Sequence, residues 1–200
     1  MKNLLKKIKT RSSGKGGFTL IEVLVAIAIS GIVMAGIYSA YYSQQRSYLI
    51  QEDVAVAQQN LRMAMYFMEM EVRMAACDPS ENAGAAIINP GANTLEFSED
   101  IGGSSMGTSN GVIDAGENIT YALSGTNLTR DAGSGPQIIA ENIQNLQFSY
   151  FNIDGDRIGQ PIGANAIAYI RSIQINMTAR VNNQTRVLTS RVKCRNIGLE

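Results

Sequence analysis

Residues 16–37 read GGFTLIEVLVAIAISGIVMAGI, and this stretch decides the architecture. The apolar run from Phe18 to Ile37 is 20 residues; at about 1.5 Å per helical residue it spans about 30 Å, the thickness of a bilayer's hydrocarbon. What precedes it is different in kind. Residues 1–17 hold Lys2, Lys6, Lys7, Lys9, Arg11 and Lys15 and no acid, a charge of +6, with Gly and Ser near their end. An ordinary secretory signal places its apolar region before the cut and loses it. Here a cut at the Gly17–Phe18 junction retains the membrane segment, and the basic leader holds the cytoplasmic side by the positive-inside rule.

Glu22 is out of place in such a helix. An ionised acid at that depth costs about 3 kcal/mol even on lenient insertion scales, so a partner is expected. Cleavage after Gly17 would supply one by freeing an α-amino group on Phe18. In a packed filament, Glu22 of one copy could neutralise that amine on a neighbour and fix axial register.

Gly17, Phe18, Thr19, Leu20, Ile21 and Glu22 resemble the cleavage motif of type IV prepilins and type II secretion pseudopilins. The resemblance implies removal of residues 1–17 by a prepilin peptidase that also N-methylates Phe18, and assembly through Glu22. It further implies a single-pass protein of the bacterial inner membrane, with its head in the periplasm and later in an extracellular pilus. A simple signal-anchor helix would explain neither Glu22 nor the Gly17–Phe18 junction.

Beyond Ile37 the chain turns amphipathic without a break, because no Pro occurs before Pro79. Ile50, Val54, Ala57, Leu61, Met65, Met68, Val72 and Ala75 recur at steps of three and four, one stripe of a helix. Pro79 and its neighbours should end it. A helix from Phe18 to about Ala76 would be about 90 Å long. Met63, Met65, Met68, Met70 and Met74 read as packing residues, not as metal ligands. Gly31 and Gly36 suit close helix contact or local melting.

Residues 77–200 read as a β-rich head. Strands are expected at Asn93–Phe97, Asn118–Leu123, Thr126–Arg130, Ile143–Phe151, Ala168–Val181 and Thr185–Arg195, with hairpins at Ser124–Gly125 and Val181–Gln184. The fold class is therefore α+β, a long N-terminal helix packed on an antiparallel sheet. Residues 98–117 form a long surface loop. Alternation turns Cys194 inward, where the helix end carrying Cys77 could meet it, so a Cys77–Cys194 disulfide is expected.

Composition narrows the chemistry. The chain has 17 basic and 17 acidic residues; without the leader's six bases, 11 face 17. Asp78–Asp156 holds eleven carboxylates and the single base Arg130, whereas Arg157–Arg195 holds seven bases and no acid. Charge pairing between strands of one sheet accounts for this split; a basic face for DNA or anionic glycans is the alternative. There is no His, which excludes His-dependent hydrolase, transferase and zinc schemes. Asp154, Gly155 and Asp156, and Asp114, Gly116 and Glu117, form acidic turns that could hold Ca²⁺, but neither has the EF-hand ligand series. Each reads more simply as an Asx-type turn. Ser12 and Ser13 near Lys15 lie in the leader. No catalytic constellation and no cofactor are expected.

The layout resembles minor pilins of the PilW type, which implies a role in initiating pilus assembly. The implied partners are the prepilin peptidase and N-methyltransferase, major and minor pilins, the inner-membrane assembly platform and the lipid bilayer. A J-type pseudopilin of type II secretion is the nearest rival. A pilus-tip module that binds DNA or surfaces is the rival of another class, with nucleic acid as its partner.

Overall fold

The computed structural model describes residues 16–102 and 109–197. The leader up to Lys15, with Ser12 and Ser13, and the centre of the 98–117 loop lie outside the described residues. The chain divides into two units, one ending at Tyr48 and the other beginning at Leu49. Helix α1, Leu20–Met74, begins in the first and ends in the second.

In the first unit every described residue is exposed, from Gly16 to Tyr48. Apolar side chains such as Leu20, Ile21, Leu24 and Ile32 therefore have no core of their own. Gly31 and Gly36 sit within the helix, and a Cβ at either would meet open space.

In the second unit α1 buries Leu61, Ala64, Met65, Met68 and Val72, the three-and-four spacing that lays one helical stripe against a sheet. The expected stripe is thus correct from Leu61 onward, while Val54 and Ala57 are half-buried and Ile50 is exposed. The methionines divide by face: Met65 and Met68 pack in the core, Met63 and Met70 point to solvent. The helix stops at Met74, two residues before the expected end. Ala76 turns to a φ of 61°, and its amide donates to the Ser98 carbonyl at 2.9 Å, so the helix exit is bonded to a strand.

The head holds two antiparallel sheets where one was expected. The first has five strands in sequence order: β1 (Ile87–Pro90), β2 (Leu95–Ser98), β3 (Asn118–Ser124), β4 (Asn127–Asp131) and β5 (Gln137–Ala140). The second has three: β6 (Ile143–Phe151), β7 (Ser172–Val181) and β8 (Gln184–Lys193). A short helix, α2 (Ala164–Ile167), lies between β6 and β7. The unexpected strands β1 and β5 are the edges of the first sheet. Each is four residues long and too short for alternation to stand out.

Turn chemistry sets the registers. Ser124 pairs with Asn127 around Gly125, which has a φ of 63°. Val181 pairs with Gln184 around Asn182 and Asn183, both at positive φ, the I′ geometry that matches strand twist. Core residues from both sheets, including Phe97, Tyr121, Phe148, Tyr150, Ile173 and Ile175, are fully buried.

Two sheets also overturn the expected charge pairing. The acids of the 78–131 segment belong to the first sheet and its loops, and most bases of 157–195 to the second. Among the described residues the ion pair is Glu71–Arg130, and it joins helix to sheet.

Candidate functional site

Gly16 and Gly17 are non-helical, and Phe18 is 88% exposed. Thr19 stands immediately before the first helical residue. Its amide and its hydroxyl both donate to Glu22 Oε2 at 2.8 Å, and the Glu22 amide donates back to Thr19 Oγ1 at 3.4 Å. This is the reciprocal capping box of a Thr-x-x-Glu start, which satisfies amides that have no partner within the helix. The sequence reading gave Glu22 only an intermolecular role and missed Thr19, although the Thr-x-x-Glu spacing was the available signal. Glu22 also places negative charge at the positive end of the helix dipole. Its Oε1 accepts no hydrogen bond from the described residues.

Further along α1, Glu71 receives Arg130 of β4: Nη2 lies 2.8 Å from Oε1, and Nε lies 3.0 Å from both oxygens. The buried Tyr121 hydroxyl of β3 donates to Glu71 Oε2, and the Arg130 guanidinium lies over the Phe67 ring at 5.8 Å. Beside this group sits Glu99, 7% exposed, whose Oε2 has no hydrogen-bond partner among the described residues. Burial, and then the negative charge of Glu71, push its pKa up to about 7, with Arg130 pulling the other way. Sequence had marked Arg130 as the lone base of an acidic block, but not its partner.

The ends of the 98–117 loop are anchored, not free on the surface. Asp100 is fully buried and accepts from Ser80 Oγ, Ser109 Oγ and the amides of Asn110 and Gly111. Glu117 is buried as well and accepts from the amides of Ile101, Gly102 and Asp114. The carboxylate of the Asp114, Gly116 and Glu117 turn thus faces backbone amides. At Asp154, Gly155 and Asp156 both acids are exposed. There Asn152 Oδ1 accepts from the Asp156 amide at 2.8 Å, four residues on where an Asx turn would reach two. No three metal-binding side chains cluster among the described residues.

Cys77 and Cys194 are free thiols, not the expected disulfide. The elements carrying them do meet, since the Arg195 amide reaches the Arg73 carbonyl at 3.4 Å. The thiols nevertheless occupy different surroundings. Cys194 is in the core, where burial pushes its pKa up to about 12. Cys77 is half-buried at the helix exit, its pKa raised by burial and by the charges of Glu99, Asp100 and Asp78.

Residues 12–38 match the family described as the prokaryotic N-terminal methylation motif. The chain carries this motif at its N-terminal end. The match spans the Gly17–Phe18 junction, Glu22 and the exposed apolar start of α1. Helix α1 is long and apolar enough to cross a membrane, consistent with membrane anchoring. The structure is similar to that of a type IV-like pilin from Thermus thermophilus, with a TM-score of 0.48 and 10% identity, over 70% of this chain and 96% of that one. No curated protein matches the sequence.

Proposed function

We propose that this chain is a minor type IV pilin of the PilW kind, a structural subunit cut after Gly17, N-methylated on Phe18 and built into a pilus through α1. The observation that carries this reading is the methylation motif running directly into an apolar helical stretch whose described residues are all exposed up to Tyr48. A stripe of exposed Leu, Ile and Val is costly in water and stable in lipid or against copies of itself. The partners that follow are the prepilin peptidase, other pilins, the inner-membrane platform and the bilayer, with the head on the periplasmic side. Intact mass of the mature protein tests the reading. Loss of residues 1–17 with one added methyl group supports it, and an exported, functional chain that keeps its lysine-rich leader rejects it. A deletion strain separates the J-type alternative: lost pili with normal protein secretion favours the pilin, and the reverse favours the pseudopilin.

A further inference from the structure

Arg191, Lys193 and Arg195 are exposed at alternate positions, while Val192 and Cys194 between them are buried. The period of two puts Arg191 and Lys193 on the outer face of β8, and Arg195 follows just beyond the strand end. A cavity of about 530 Å³ opens beside them; the three cations and Arg171 line it together with apolar residues such as Ile153 and Ile197. Its size falls within the range of about 300–1,000 Å³ usual for small-ligand sites.

Two of the guanidinium groups are held in place. Arg191 Nε donates to Ser172 Oγ at 2.9 Å, and its Cζ lies 3.7 Å over the Phe151 ring. Arg171 Nη1 donates to the carbonyls of Ala168 at 2.6 Å and Ile170 at 2.9 Å. None of the four bases forms an ion pair among the described residues. Asp154 and Asp156 flank Gly155 in the wall, but neither lines the cavity.

We propose that this cavity binds a small ligand bearing two or more phosphate charges, a pyrophosphate group or a phosphate monoester. Like charges gathered around one concavity repel one another and concentrate anions. A single carboxylate would offset one of four, whereas phosphate oxygens accept from several guanidinium and ammonium donors at once. Single-stranded nucleic acid fits less well, because it needs open aromatic faces for stacking, and the Phe151 ring is covered by Arg191. The site lies wholly in the head and does not depend on the pilin assignment.

Titration of the full chain in detergent micelles with sodium pyrophosphate, followed by calorimetry, tests this. Lys193→Gln with Arg195→Gln, both at exposed positions, should weaken binding at least about tenfold, the loss expected for charge-assisted hydrogen bonds. Arg186→Gln removes a base of the same strand that lines a different cleft and should leave affinity within about twofold, as for a screened surface charge. Vesicles of phosphatidylcholine with phosphatidic acid form the second arm. Capture beyond that by phosphatidylcholine alone, reversed by pyrophosphate, assigns a lipid headgroup as the source; pyrophosphate binding with equal capture by both vesicles assigns a soluble one. No heat with millimolar pyrophosphate overturns the proposal. So does equal weakening by Arg186→Gln, which would mean a diffuse field, or duplex DNA binding that pyrophosphate does not displace.

Discussion

Glu71 of α1 and Arg130 of β4 form a two-oxygen, two-nitrogen ion pair that the Tyr121 hydroxyl completes from β3. Both side chains are mostly buried, at 16% and 21% exposed. Breaking such a pair leaves an uncompensated charge, which costs more than the intact pair contributes. Glu71→Ala should therefore lower stability by about 2–4 kcal/mol, and Glu71→Leu with Arg130→Met should cost less than the single change. Denaturant unfolding of the detergent-solubilised chain checks both. A double variant worse than Glu71→Ala would show that the pair is net stabilising.

Glu99 makes the head sensitive to pH. Its folded pKa is raised to about 7 by burial and the neighbouring Glu71 charge, above an ordinary carboxyl value of about 4.3 in the unfolded chain. The folded state thus holds the extra proton between those values. Its stabilising effect is full below the unfolded pKa and is lost as pH rises through about 7. Melting temperature should fall from pH 5 to pH 8, and Glu99→Gln should flatten that slope. An unchanged slope in the variant would assign the effect to another group.

Legibility followed the strength of local pattern. The stripe Leu61, Met65, Met68, Val72 and Ala75, the alternation of β7 and β8, and the Asn182–Asn183 turn were all visible, because each repeats a period or needs positive φ. Strands β1 and β5 were not, since four-residue edges carry too few positions to alternate. The split into two sheets was hidden for another reason. Charge blocks along a chain do not say which strands become neighbours, so Arg130 pairs with Glu71 on the helix and the bases of β8 pair with no acid among the described residues. Thr19 was legible in principle, because Thr-x-x-Glu is the spacing of a capping box, but an acid inside an apolar run points first to an intermolecular cation.

The two thiols should differ in reactivity. Alkylation at pH 8 requires thiolate and access. Cys194 is 2% exposed with its pKa pushed up to about 12, whereas Cys77 is half-buried. Iodoacetamide should label Cys77 first, slowed by the Glu99, Asp100 and Asp78 charges, and reach Cys194 only on unfolding. A Cys77–Cys194 linked peptide in exported protein, mapped without reductant, would overturn the free-thiol arrangement.

Glu22 caps its helix with one of its two oxygens. Oε2 takes both Thr19 bonds, and Oε1 accepts none from the described residues, which leaves it open to a cation such as a neighbour's freed Phe18 amine. Substitutions separate the two roles. Glu22→Gln keeps a carbonyl oxygen for the Thr19 amide but removes the charge; Thr19→Ala loses the hydroxyl of the cap but keeps the charge. With charge pairing in control, Glu22→Gln should be cleaved normally after Gly17 yet enter filaments as poorly as Glu22→Ala, while Thr19→Ala assembles nearly as wild type. With the cap in control the order reverses, Thr19→Ala failing and Glu22→Gln assembling. Immunoblots of sheared filaments against membrane fractions distinguish these orders, because cleavage and incorporation are read from the same samples.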